Sequence, residues 1–155
     1  MSFFKILIGL AAVFALLQLI RIEDKYAKWL TVGMAISISL TLLPFAPLIR
    51  DGAISYVLVL FLSILYVFAP TESDSTLEKK SLMTLVFVIP MLAMLLELNG
   101  MAGVGEIRYV CSISVIAYLY GVLRSPASYK NEIGMLTIPA TDAFIRLSAG
   151  IIDLL

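Results

Sequence analysis

The chain has 155 residues, of which 61% are hydrophobic and 14% charged, and its eleven basic and eleven acidic side chains leave no formal net charge. Soluble domains are about 45–50% apolar and about 25% charged, so this composition excludes a disordered chain and carries more apolar surface than a soluble fold of this length can bury. Without a basic excess a nucleic-acid partner has no electrostatic footprint, and with no histidine the commonest general base, metal ligand and pH switch is missing.

A spanning helix needs about 20 mostly apolar residues, within a range of roughly 17–25. Five segments approach or meet that length, residues 3–20, 29–49, 53–69, 81–98 and 107–123, and they predict an all-α integral membrane protein, a bundle of five transmembrane helices or, without the first, four. The first segment resembles a signal peptide, with Lys5 ahead of an apolar stretch. No small-residue cleavage site follows, because the run meets Gln18 and then Arg21-Ile22-Glu23-Asp24-Lys25, so it is expected to remain as a helix.

In the second segment Pro44 and Pro47 each remove an amide donor, and the helix is expected to kink or end at Pro44. Arg50-Asp51-Gly52 then reads as a tight turn into the third. Ser37 and Thr41 share one face of the second helix above the proline. Small hydroxyl residues of this kind bring helices together in lipid, and packing is preferred over the alternative, a pore-lining stripe beside a broken helix.

Ser75 and Glu78 have capping-box spacing, so the fourth helix should begin near Thr76, after the polar residues 71–74. Pro90 interrupts its middle, as either a tolerated proline or a gating kink. Glu97 closes this helix, the glycine-rich LNGMAGVG makes a sharp turn, and Glu106 and Arg108 open the fifth. Glu97 and Arg108 are expected to meet across that turn. An interfacial ion pair holding a hairpin is preferred to an ion or proton path, because all three charges are placed near span ends rather than at mid-membrane depth.

Beyond residue 123, Pro139 is expected to block any continuing helix, and Thr141 or Asp142 to cap a new one. Asp142, Arg146, Ala149 and Asp153 fall in one narrow stripe, and Phe144, Ile145, Leu147, Ile151, Ile152, Leu154 and Leu155 cover the rest. Residues 131–155 therefore read as a C-terminal amphipathic segment beside a bundle formed by residues 1–130. One arginine against two aspartates gives no attraction to an anionic leaflet. The segment is expected to lie half-sunk at the interface or to dock on a protein through Phe144, Ile145, Ile151, Ile152 and Leu155, edged by Asp142 and Arg146.

Lys and Arg set orientation. With five spans, Arg21, Lys25, Lys28, Lys79, Lys80, Arg124, Lys130 and Arg146 share one side against Lys5, Arg50 and Arg108 on the other. That count predicts an external N-terminus and a cytoplasmic C-terminus, in a bacterial inner membrane. Trp29, Tyr26 and Tyr129 are expected in the interfacial aromatic belt.

The lone Cys111 allows no internal disulfide, and no nucleophile, phosphate-cradling or metal-ligand motif is present in the sequence. No cofactor and no nucleic acid are expected. The expected partners are the bilayer, other copies of the chain, and a membrane or cytoplasmic protein. The expected function is the non-enzymatic membrane subunit or scaffold of a complex. The alternative is an oligomeric channel, transporter or membrane-permeabilising effector such as phage defence uses, and an intramembrane lipid-modifying enzyme ranks last.

Overall fold

A computed structural model describes residues 2–69, 76–101 and 103–153. They form six α-helices: α1 (Ser2–Gln18), α2 (Lys25–Leu42), α3 (Ala46–Phe68), α4 (Leu77–Leu98), α5 (Val104–Arg124) and α6 (Ile133–Ile152). A 3-10 turn, Pro126–Tyr129, joins α5 to α6, and there is no strand among the described residues. Four helices are long and apolar enough to cross a membrane: α3, α4, α5 and α6. The expected third, fourth and fifth spans correspond to the first three of these. The fourth is α6, within the stretch expected to be an amphipathic segment beside the bundle. Of the two segments expected to precede them, α1 is apolar but only 17 residues long. α2 carries Lys25 and Lys28 in its first turn and four hydroxyl residues further on.

The prolines explain where the helices break. Leu43, pushed out of the helical region by the following Pro44, is extended (φ −69°, ψ 146°) and closes α2. Pro47 then sits in the first turn of α3, where a missing amide costs nothing and its fixed φ suits the helix. The chain therefore reverses at residues 43–45, and the turn expected at Arg50-Asp51-Gly52 is instead the second turn of α3. Gly52 serves a different purpose there. A Cβ on it would lie 2.8 Å from Leu40 Cβ and 2.9 Å from the Ser37 carbonyl oxygen, so the missing side chain lets α3 cross directly against α2.

Thr76 caps α4 by accepting from the Lys79 amide at 3.3 Å, one residue after the expected capping box, whose Ser75 lies outside the described residues, as does the polar stretch 71–74. The turn between α4 and α5 is glycine-made, as the sequence implies. Gly100 (φ 60°) follows the C-cap Asn99, and Met101 and Gly100 donate back to the Leu96 and Glu97 carbonyls. Pro90 lies within α4, and the Val86 carbonyl four residues back, which Pro90 cannot serve, accepts instead from Ser114 Oγ of α5 at 3.3 Å.

Each helix packs on the next, and α1 packs on α6 to close the ring. α6 also touches α2 and α4, which places it inside the bundle. Residues 133–152 thus pack among the other helices rather than beside them, and Pro139 sits within a continuous helix instead of ending one. Six alternating helices bring the start of α1 and the end of α6 to one end of the bundle, together with the turn at residues 43–45, the end of α4 and the start of α5. This is called the terminal end here. The connections from α1 to α2 and from α5 to α6 gather at the opposite, loop end, with the end of α3 and the start of α4. Gly134, at the start of α6, lies against Ala15 and Gln18 at the end of α1, which fixes the antiparallel pairing. The chain ends were expected on opposite sides; adding α6 as a sixth alternating helix brings them together.

A buried ion-pair cluster as the candidate functional site

The stripe of Asp142 and Arg146 was expected to edge an interfacial or protein-docking segment. Instead it faces inward: the two residues are 7% and 8% exposed. α6 runs from Ile133 to Ile152, so Asp142 stands at its middle. Taking a charge to that depth costs several kcal/mol unless it is compensated, and the compensation is visible. Arg146 Nε donates to Asp142 Oδ2 at 3.0 Å, one turn back on the same helix, and its Nη1 lies 2.5 Å from Glu97 Oε1 on α4. The remaining Nη2 points at Met94 Sδ, 3.7 Å away, a weak acceptor. Burial decreases outward along this ladder: the Asp142 and Arg146 side chains are about a tenth exposed, Glu97 more than a third.

Three further groups complete the surroundings. Tyr56 of α3 is fully buried, and its hydroxyl, which lies within electrostatic reach of Asp142 and Arg146, has no hydrogen-bond partner among the described residues. Cys111 of α5 is buried within the field of Arg146, Asp142 and Glu97. Tyr109 donates to the Gly150 carbonyl at 3.1 Å, tying α5 to the last turns of α6.

Glu97 and Arg108 therefore do not pair. Arg108 turns to Asp153 at 2.5 Å, Glu97 turns to Arg146, and Glu106 is exposed. Ser37 is buried and Thr41 partly buried where α3 crosses at Gly52, and the Thr41 hydroxyl donates to the Ile38 carbonyl of its own helix at 2.6 Å. Pro44 is exposed in the α2–α3 turn, and Pro90 is buried in α4. Of the apolar residues singled out on α6, Ile145 packs on the core, Phe144, Ile151 and Ile152 face outward, and Leu155 lies outside the described residues. Trp29 and Tyr26 are exposed at the loop end as belt residues would be. Tyr129 is buried, its hydroxyl filling the space over Gly121.

The loop end holds a second polar group that sequence patterning did not reveal. Lys79 Nζ donates to Glu132 Oε1 at 2.9 Å and to the Ser128 carbonyl at 2.5 Å, and it sits over the Tyr129 ring. Lys79 and Glu132, 53 residues apart, carry no local signal of this contact. Nearby, Glu23 pairs with Lys130 at 2.6 Å, which holds the Glu23 carboxyl below its ordinary range. That contribution is present above the ordinary glutamate value and fades as pH falls through the lowered one. Because Glu23 is fully exposed, salt screens the pair.

No grouping of three or more acidic or cysteine side chains suited to a metal ion occurs among the described residues. Comparison with protein-family models, curated proteins and solved structures gives no match.

Proposed function

We propose that this chain is an integral membrane protein that acts, without catalysis of its own, as the membrane subunit or scaffold of a larger assembly. One observation carries this reading: the outward helix faces are apolar while the charged pair in the middle of α6 turns inward. On α3, Ile54, Leu58, Phe61, Leu65 and Phe68 recur every three or four residues and are all exposed, whereas Asp142 and Arg146 are buried. Such a surface is stable only against lipid or another apolar helix. The described connections between helices are short, so the surfaces left for a partner are helix faces and the two ends.

The same arrangement supports an orientation. Arg21, Lys25, Lys28, Lys79, Lys80, Arg124 and Lys130 belong to the loop end, against Lys5, Arg50 and Arg108 at the terminal end. The positive-inside bias puts the loop end in the cytoplasm and both described chain ends outside. A bacterial inner membrane suits this charge pattern.

The Asp142–Arg146–Glu97 ladder, buried at Asp142 and Arg146 and open to the surface at Glu97, favours one second reading, passage of an ion or proton through an oligomer. Native mass measurement in lipid nanodiscs, with cross-linking in the source membrane, separates the two from inert monomer. The subunit reading predicts a discrete oligomer or a stoichiometric partner. A monomer that cross-links to nothing overturns it.

A further inference from the structure

Between the start of α2 and the end of α3 the surface of the bundle opens into a groove of 510 Å³, a volume within the range of about 300–1,000 Å³ that ligand sites occupy. Tyr26, Trp29 and Leu30 line it from α2, and Leu62, Leu65 and Tyr66 from α3, so its wall is almost wholly apolar. Because α2 begins at Lys25 and α3 ends at Phe68, the groove starts at the loop end and runs inward for about two turns, roughly 10 Å. Tyr26, Trp29, Leu62 and Leu65 are each more than half exposed, so no described helix of this chain covers it. The charges beside its open end are not balanced. Among the described residues Arg21, Lys25, Lys28 and Lys130 stand there with Glu23 and Asp24, an excess of two positive charges. Both acids are already engaged: Glu23 pairs with Lys130 at 2.6 Å, and Asp24 caps α2 by accepting from the Tyr26 and Ala27 amides at 2.7 and 2.9 Å. Lys25 and Lys28 are exposed, and Lys25 stands one helical turn before Trp29, on the groove's own edge of α2.

We propose that this groove is a binding site for an anionic phospholipid, with one acyl chain along the groove and the headgroup phosphate met by Lys25 and Lys28. The occupant has to be apolar over the depth of the groove and negative at its mouth, and a phospholipid with a net negative headgroup has that division. A lysine reaches such a headgroup while its methylene stem stays on apolar surface. A zwitterionic headgroup brings its own cation beside the phosphate and gains less from the positive excess. An apolar helix of a partner would fill the groove and leave the lysines without an anion. Exposed Tyr26 and Trp29 fit the same depth, since amphipathic rings collect at the headgroup level. The inference rests on the membrane placement proposed above and is independent of the subunit reading.

Trp29 is the one tryptophan of the chain, so its fluorescence reports on the groove directly. The test places the full-length protein in phosphatidylcholine nanodiscs and adds a series of fractions of a phospholipid brominated on one acyl chain near the headgroup, either phosphatidylglycerol or phosphatidylcholine. Bromine quenches tryptophan at close range, and the dependence on lipid fraction gives the relative association of each lipid. A basic residue near an anionic headgroup is worth about a fivefold change in association, so brominated phosphatidylglycerol should associate with wild type at least about fivefold more strongly than brominated phosphatidylcholine. Lys25→Gln/Lys28→Gln should abolish that preference. Arg124→Gln, which removes an exposed cation of the same end from α5, a helix packed on α4 and α6, should retain it. Equal quenching of wild type by the two lipids overturns the proposal without recourse to any variant. So does a preference that survives the double substitution, or one that Arg124→Gln removes as well. Quenching by neither lipid overturns the membrane placement together with the proposal, which tells the two failures apart.

Discussion

Arg146 is the side chain on which the interior depends most. It joins the middle of α6 to the end of α4 and has two anionic partners that would otherwise stand unpaired. Removing one partner of a buried ionic group costs about 3–5 kcal/mol. Arg146→Gln should lower stability by that amount when the protein is unfolded in mixed micelles and followed by circular dichroism; a loss within about 0.5 kcal/mol, the scale of a surface change, would contradict the buried placement. Two glycines allow a finer comparison. A methyl group at Gly52 meets the backbone of α2, which cannot step aside, whereas at Gly121 it meets the end of the Tyr129 side chain. Gly52→Ala should therefore cost about 1–3 kcal/mol as an overpacking change, and Gly121→Ala less, in the same titration. The reverse ranking would show that α2 and α3 do not cross at Gly52.

At the level of the helices, α4 and α5 are joined through a proline. Ser114 donates to the Val86 carbonyl that Pro90 leaves free. Ser114→Ala should cost about 1 kcal/mol in the wild-type background and close to nothing in Pro90→Ala, where the restored amide serves Val86. Equal costs in both backgrounds would show that the contact does not compensate for the proline. Much of this organisation is legible in the sequence. The segments that became α3, α4 and α5, the break at Pro44, the glycine turn before α5 and the start of α4 at Thr76 all follow from apolar length and local backbone chemistry. α6 shows where such patterning stops. Its period is plain, with Asp142, Arg146 and Asp153 on one edge, but periodicity gives a polar face without saying which way it turns. In water that face is outside; in lipid it turns inward when partners exist. Its partner Glu97 is 49 residues distant and already had a nearer apparent mate in Arg108. Pro139 misled for a related reason, because buried neighbours tolerate a proline that an exposed helix would not.

Across the whole molecule, one more alternating helix changes the topology. With residues 133–152 as a sixth member of the ring, the start of α1 and the end of α6 share one end of the bundle and most of the basic residues gather at the other. The bias of Lys and Arg is readable from composition and spacing alone. Its consequence for the C-terminus is not, since it depends on how many helices alternate. The most direct test is cysteine accessibility in sealed vesicles of both orientations, in a Cys111→Ser background, using Lys5→Cys, Ala127→Cys and Ile152→Cys at exposed positions. A membrane-impermeant maleimide should label positions 5 and 152 from the same side and position 127 from the opposite side. Labelling of positions 5 and 152 from opposite sides would contradict a bundle with α6 as its sixth alternating helix.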